Sequence, residues 1–192
     1  NAVGLPIPNV EYKIDSPNEN GIGEILVKGP NVMLGYYNMP EETAKVLKDG
    51  WFHTGDLGYI DEDEFLYISG RSKNMILTKN GENIYPEEIE QILNDNELIT
   101  ESLVTGTSNG KDDIQVNAKI LPNIEEIKKF LGDKIPSKED ITRVLSDVVK
   151  KANQKLPNFK HIKSFKVMDE DFERTTTNKI KRYGKNIEDE KK

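Results

Sequence analysis

Ile68-Ser-Gly-Arg-Ser-Lys-Asn-Met-Ile76, followed by Asn80-Gly-Glu-Asn-Ile-Tyr-Pro-Glu-Glu-Ile-Glu90, is where the character of this 192-residue chain changes. Upstream, short alternating or apolar runs are separated by Gly, Pro, Asn and Asp, the pattern of strands and tight turns. Downstream, helical and strand periodicities alternate. A strand that ends at Ser69, an arginine directly after it, and a second glycine-centred loop leading into a proline-started helix mark a charged junction between two differently patterned domains. A Gly-Arg pair by itself is most often a turn beside a surface charge.

Working upstream, Glu64 to Ser69 reads as a strand, Gly23 to Lys28 as another, and Val10, Tyr12 and Ile14 alternate as a third, with a turn over 16–21. A short helix from Pro40 to about Lys48 has Glu41 and Glu42 in its first turn and Lys48 in its last, each favourable to the helix dipole. Downstream, Pro86 suits the first position of a helix carrying Ile89, Ile92 and Leu93 on one face. Residues 98–105 and 113–121 form a hairpin turning over Ser108-Asn109-Gly110-Lys111. Asn123 caps a short helix, and Ser137 with Asp140 resembles a capping box opening a long amphipathic one that runs to Pro157, striped by Ile141, Val144, Leu145, Val148, Val149, Ala152 and Leu156. A last strand, about His161 to Met168, precedes a polar loop at 173–179 and a charged tail.

Charged residues make up 32% and hydrophobic ones 35%, and a net charge of -7 argues against general affinity for nucleic acid or anionic membrane. The absence of cysteine excludes a disulfide framework, a zinc ribbon and a cysteine nucleophile, and fits a cytoplasmic setting. No apolar run approaches the ~20 residues of a membrane span. The opening Asn1-Ala2-Val3-Gly4 is neither an initiator methionine nor a signal sequence, so the chain reads as an internal piece. Only Arg71, Arg143, Arg174 and Arg182 are arginine, which singles out each for its fixed fork of donors. His53 and His161 have no spacing suited to a metal and read as structural; no metal site is expected.

Three segments could carry chemistry. In Trp51-Phe-His-Thr-Gly-Asp56, the aspartate either satisfies its own turn or offers two oxygens to paired hydroxyls such as those of a ribose. The junction offers Arg71. In Thr175-Thr-Thr-Asn-Lys179, a hydrogen-bonding loop could present Lys179 to an anionic ligand, although a basic cluster of this kind is usually a solvated tail.

Gly23-Glu-Ile-Leu-Val-Lys-Gly-Pro-Asn-Val-Met-Leu-Gly-Tyr-Tyr-Asn38, the Thr-Gly-Asp segment, Gly-Arg-Ser-Lys with Pro-Glu-Glu-Ile-Glu, and Thr-Thr-Thr-Asn-Lys-Ile-Lys together resemble, in order and spacing over residues 1 to about 185, the adenylate-forming superfamily of acyl-CoA synthetases, luciferases and adenylation domains. The resemblance implies an α+β chain from the carboxy-terminal part of such an enzyme. Residues 1–70 would be a β-rich, distorted barrel-like remnant of the large AMP-binding domain, 71–73 a hinge, 74–185 a mobile lid with a mainly antiparallel sheet, and 186–192 a charged tail. It implies an acid-thiol ligase, with ATP, coenzyme A and Mg2+ as cofactors, the magnesium ligand lying upstream. Thr78 to Pro86 resembles the long-chain fatty acyl-CoA ligase branch, which makes a fatty acid the expected substrate.

Residue by residue, the resemblance implies that Asp56 holds the ribose hydroxyls, Arg71 binds the ribose or phosphate region and Ile68 packs near the adenine. Lys73 marks the hinge, Gly81 lines the coenzyme A tunnel, and Lys179 bridges the carboxylate and the α-phosphate. The expected partners are ATP or AMP, coenzyme A and a fatty acid, with no nucleic acid and no transmembrane segment, and with room for peripheral membrane contact by the full-length enzyme. The family usually has glycine before the lysine, and here the residue is Asn178, one of the few that tolerate a left-handed backbone. Two other readings are an amino-acid or aryl-acid adenylating enzyme, and a non-catalytic binding or regulatory module.

Overall fold

The structure, a computed structural model, describes residues 2–108 and 114–187. The turn expected at 108–111 lies, beyond Ser108, outside the described residues, as does the tail from residue 188. The chain divides into two compact units, Asn1–Met75 and Ile76–Lys192.

The first unit holds β1 (Ala2–Gly4), β2 (Glu11–Asp15), β3 (Gly23–Lys28), α1 (Pro40–Val46), β4 (Leu47–Lys48), β5 (Trp51–Ile60) and β6 (Leu66–Arg71). They make one antiparallel sheet in the order β1-β6-β5-β3-β2, with β4 added to β5. The helix expected to reach Lys48 stops at Val46 because Leu47 and Lys48 turn back to pair with Phe52 and Trp51. Asp49 and Gly50 supply the two-residue loop, both with positive φ (50° and 79°), as an Asp-Gly hairpin requires. The strand expected from Glu64 begins at Leu66 instead, since the Asp61 carboxylate accepts from the amides of Asp63 and Phe65 and holds the turn. β1 and β2 end the pairing order, yet the Tyr12 hydroxyl donates to Glu64 O (2.6 Å) and lies 3.4 Å from Gly4 O. One side chain thus draws the two ends of the sheet together, which gives it a barrel-like curl without closure.

The second unit holds β7 (Ile76–Leu77), β8 (Asn83–Ile84), α2 (Pro86–Asn94), β9 (Ile99–Ser108), β10 (Ile114–Pro122), α3 (Ile124–Phe130), α4 (Lys138–Asn153) and β11 (Ile162–Val167). β7 and β8 form a small ribbon, and the main sheet runs β11-β10-β9. β9 and β10 are antiparallel as expected, but β10 and β11 are parallel, because α3 and α4 make the crossover that a parallel pair needs. Strict alternation along β10 turns Val116, Ala118 and Ile120 into the core, where they join Ile89 and Leu93 of α2 and Val144, Leu145, Val148, Val149 and Ala152 of α4. Ile89, Leu93, Ile120 and Leu145 have no exposed surface, and each such side chain contributes about 1.5–3 kcal/mol by leaving water.

Ser137 Oγ accepts from the Asp140 amide and Asp140 Oδ2 accepts from the Ser137 amide, the capping box expected at the start of α4. The helix ends at Asn153, four residues before Pro157. The Asn153 side-chain amide pairs with both backbone groups of Ile162, which turns the chain into β11, while Leu156 still packs on the core.

Loss of the cap by Ser137→Ala should lower stability by about 1 kcal/mol in urea denaturation. Hydrogen bonds from Lys134 and from Ser137 hold the Asp140 carboxyl below its ordinary value. The stability Asp140 contributes is therefore complete above the usual aspartate range and is lost as pH falls through its lowered value. The difference between wild type and Asp140→Ala should shrink in acid.

Candidate functional site

Four hairpin loops of this chain are built to one plan. In each, the first residue's carbonyl accepts from the fourth residue's amide, its own amide donates to the fifth residue's carbonyl, and its side-chain oxygen accepts from the fifth residue's amide. The loops are Asn18–Ile22, Asp61–Phe65, Thr78–Glu82 and Thr175–Lys179. The fourth residue is left-handed every time: Gly21 (φ 74°), Glu64 (65°), Gly81 (84°) and Asn178 (62°). This is a tight turn closed by a one-residue bulge, which demands a positive φ at the bulge and rewards Asn, Asp or Thr at the first position. Asn178 thus occupies the same backbone conformation as Gly81.

In the first unit, Asp56 and Arg71 face each other across β5 and β6, and Arg71 Nε donates to Asp56 Oδ1 at 2.6 Å. Arg71 Nη1 also reaches Thr54 O at 3.4 Å. The bulged stretch of β5 that presents Asp56 is fixed by its neighbours, so the segment whose residues allow a turn at Asp56 is a strand. Glu24 accepts from the Gly55 amide (3.0 Å) and lies 2.9 Å from His53 Nδ1, while Thr54 Oγ1 donates to Ile25 O and accepts from the Asp56 amide. The pair is partly open to solvent, so it positions the two groups more than it stabilises the fold. Ile68, on the same strand as Arg71, is an exposed large apolar side chain. Lys73 is exposed in a single 3-10 turn, Ser72–Asn74, that follows β6.

In the second unit, Gly81 forms the bulge of the β7–β8 turn, and a Cβ there would meet nothing within 4 Å. Lys179 is exposed directly after the bulge of its own hairpin, where Thr175 donates to Lys179 O at 2.8 Å. Arginines grip both stems. Arg174 bonds Glu101 and donates to Asn178 O (3.1 Å), and the Glu101 contact raises its pKa so that it stays charged. Arg182 bonds Glu90 and donates to Val104 O (3.2 Å), while Glu90 accepts from the Val104 amide (2.7 Å). Burial pushes Glu90 above the usual carboxylate range, opposed by Arg182.

Of the six residues singled out from sequence, Asp56 and Arg71 are in direct contact, and Lys179 and Gly81 share a loop design. Glu24, Thr54, Glu90, Arg174 and Arg182 escaped notice as site residues. Only the scarcity of arginine pointed toward the last two. His53 bonds Glu24 and His161 Nε2 lies 3.0 Å from Leu156 O, both structural placements, and no group of metal-ligating side chains occurs among the described residues. None of their helices is long and apolar enough to cross a membrane.

A family model described as the C-terminal domain of AMP-binding enzymes matches residues 73–188. A long-chain-fatty-acid–CoA ligase of Bacillus subtilis is 48% identical over 111 residues, covering 55% of this chain and 20% of the ligase. The protein of the same name from Salmonella typhimurium is 38% identical over 144 residues, 72% of this chain and 24% of its own. A 2-succinylbenzoate–CoA ligase of Geobacillus is 55% identical over 84 residues, 44% of this chain and 17% of its own. The solved structure of Bacillus subtilis o-succinylbenzoate CoA synthetase with its acyl-adenylate intermediate aligns at a TM-score of 0.74 and 32% identity, over 93% of this chain and 34% of that one. The chain therefore spans about a quarter or less of the length of these curated relatives.

The shared loop design gives a test of Asn178. Replacement by glycine should leave exchange of the Thr175 amide, which the hairpin protects, unchanged or slower. Replacement by valine should cost about 1–2 kcal/mol locally and speed that exchange, as read by hydrogen exchange.

Proposed function

The chain belongs to the AMP-binding, adenylate-forming enzymes as their C-terminal part, and on that premise we propose that the enzyme it comes from joins a carboxylic acid to coenzyme A through an acyl-adenylate. The observation that carries this reading is Lys179, exposed after the bulge of a short, doubly gripped hairpin. In the first half-reaction a substrate carboxylate oxygen bonds to the α-phosphorus of ATP as the bond to pyrophosphate breaks. An ammonium suits that step because its three donors can reach oxygens of two molecules at once and offset charge that grows in the transition state. In the second, the thiol sulfur bonds to the acyl carbon, the thiol gives up its proton, and AMP leaves with the bonding electrons.

Asp56 accepts from the ribose hydroxyls in this reading, and Arg71 binds the ribose or phosphate region. Their mutual ion pair supports it by holding carboxylate and guanidinium side by side before the nucleotide arrives. Exposed Ile68 offers an apolar surface for the adenine. The 3-10 turn carrying Lys73 serves as the hinge at which the second unit turns between half-reactions. Gly81, with open space where a Cβ would stand, lets backbone approach the pantetheine arm. Magnesium would be held by residues upstream of this stretch, and it supplies charge neutralisation to the triphosphate.

A long-chain fatty acid is the substrate favoured here, supported by the segment Thr78 to Pro86 and by the ligases of that name. A second reading, an aryl acid such as o-succinylbenzoate, is supported by the 55% identity to the Geobacillus ligase and by the likeness to the Bacillus subtilis synthetase. AMP release by the full-length enzyme, measured over fatty acids of graded length and o-succinylbenzoate, with and without coenzyme A, decides between them.

Lys179→Ala should slow acid-dependent ATP–pyrophosphate exchange by ~10²–10³-fold while sparing thioester formation from supplied acyl-adenylate. The 192-residue chain by itself should form no acyl-AMP, because positioning both reactants is the larger share of such catalysis. Acyl-AMP formed by the purified chain would overturn the division of labour assumed here.

A further inference from the structure

The sheet of the second unit has a second buried face, and what covers it is the segment that carries Lys179. Along β10 the residues alternate, so Lys119 points opposite to the core residues Ala118 and Ile120. Lys119 is 3% exposed, and its register partner Leu103 is 1% exposed outside the main core cluster. A lysine so thoroughly removed from water needs a strong acceptor. It finds one in the backbone carbonyl of Asn186, 2.7 Å from Nζ.

Asn186 is itself 4% exposed, and its side chain is spent entirely on the two stems of the Lys179 hairpin. Oδ1 accepts from the Glu173 amide at 3.1 Å, and Nδ2 donates to Glu173 O at 3.0 Å and to Lys181 O at 2.8 Å. Glu173 and Lys181 are also joined directly, Lys181 N donating to Glu173 O at 2.8 Å. One carboxamide therefore ties both strands of the hairpin at the rung below the Arg174–Ile180 bridge. Glutamate, aspartate or serine could not supply two donors and an acceptor in this pattern.

We propose that Asn186, anchored to the sheet by Lys119, is the positioning residue that fixes the Lys179 hairpin for adenylation. The proposal rests on the reading that Lys179 acts in that half-reaction. Neither residue touches substrate. Asn186 sets the base of the hairpin, Lys119 sets the depth of Asn186, and the tip inherits both. Displacing a reacting group by about 1 Å can cost ~10²-fold in rate, so a loosened base should be visible in the first half-reaction.

The test uses the full-length enzyme with Asn186→Ala, Asn186→Asp and Lys119→Met, and Lys179→Ala alongside. Two readouts are needed. The first is trypsin cleavage after Arg174, Lys179 and Lys181 under native conditions; it should speed up in all three positioning variants while the rest of the second unit stays resistant. The second is the rate of each half-reaction. Pyrophosphate exchange should fall about 10- to 100-fold in kcat with the KM for ATP little changed, and thioester formation from supplied acyl-adenylate should stay within about twofold.

Unchanged cleavage, or exchange and thioester formation falling together in proportion to lost folded protein, overturns the proposal. If Lys179→Ala abolishes exchange and well-folded Asn186→Ala does not weaken it, the proposal fails and the role of Lys179 stands. If Lys179→Ala leaves exchange intact, the reading beneath the proposal fails with it, whatever the cleavage pattern.

Discussion

The ion pair between Glu90 and Arg182, closed over the backbone of Val104, is the contact on which the packing around the edge of the second unit's sheet depends. Among the described residues β9 is an edge strand, and at Val104 its outward amide and carbonyl meet no neighbouring strand. Glu90 accepts from that amide and Arg182 donates to that carbonyl, so the pair takes the place of a missing strand for one residue. The same contact joins three elements: α2 through Glu90, β9 through Val104, and the stretch after Lys179 through Arg182. A carboxylate in so buried a place is costly to ionise, and the guanidinium and the amide repay part of that cost. An edge left bare here would also invite pairing with another chain.

The two units hold the proposed site residues with different kinds of rigidity. In the first, Asp56 and Arg71 project from adjacent strands, and their relative position is set by backbone pairing and by the Glu24 and Thr54 contacts to β5. In the second, Lys179 projects from a loop whose tip is exposed while its stems are held by buried and half-buried polar groups. In the proposed reaction the ribose would be a fixed target that a sheet can meet, whereas an ammonium needed in only one half-reaction would suit a small, stiff, movable element.

Much of this was legible in the residues. The period-two alternation along β10, the Ser137–Asp140 cap and the proline at the head of α2 each rest on a local rule, and each stands where the rule puts it. The order of four motifs carried the family. Two expectations gave way to turns that pair the chain with itself a few residues on. Leu47 and Lys48 left the helix because Asp49-Gly50 is a hairpin signal whose partner, Phe52, decides the outcome. β6 starts late because Asp61 holds a turn. The parallel β10–β11 pair, which two intervening helices allow, sits within the mainly antiparallel arrangement expected. The repeated loop was present in the letters as Asn, Asp or Thr three places before Gly, Glu or Asn, but with Glu64 at one bulge the spacing alone is too loose to find it. Glu90 and Asn186 were invisible for a different reason. Apart from Lys181, 5 residues from Asn186, the partners of their side chains lie 13 residues away or more, and nothing local distinguishes a buried polar side chain from an exposed one.

The Tyr12 hydroxyl has a consequence of another sort. It spans the opening between the first and last strands of its sheet, where a closed barrel would have a ladder of backbone bonds, and it does so as a donor to Glu64 O with Gly4 O 3.4 Å away. A phenol can play that part only while it keeps its proton. Burial, with Glu64 and Asp61 nearby, raises its pKa above the ordinary phenol value, so the proton stays in place at neutral pH. The two ends of the sheet are therefore joined by a fastening that is indifferent to acidity near neutral pH.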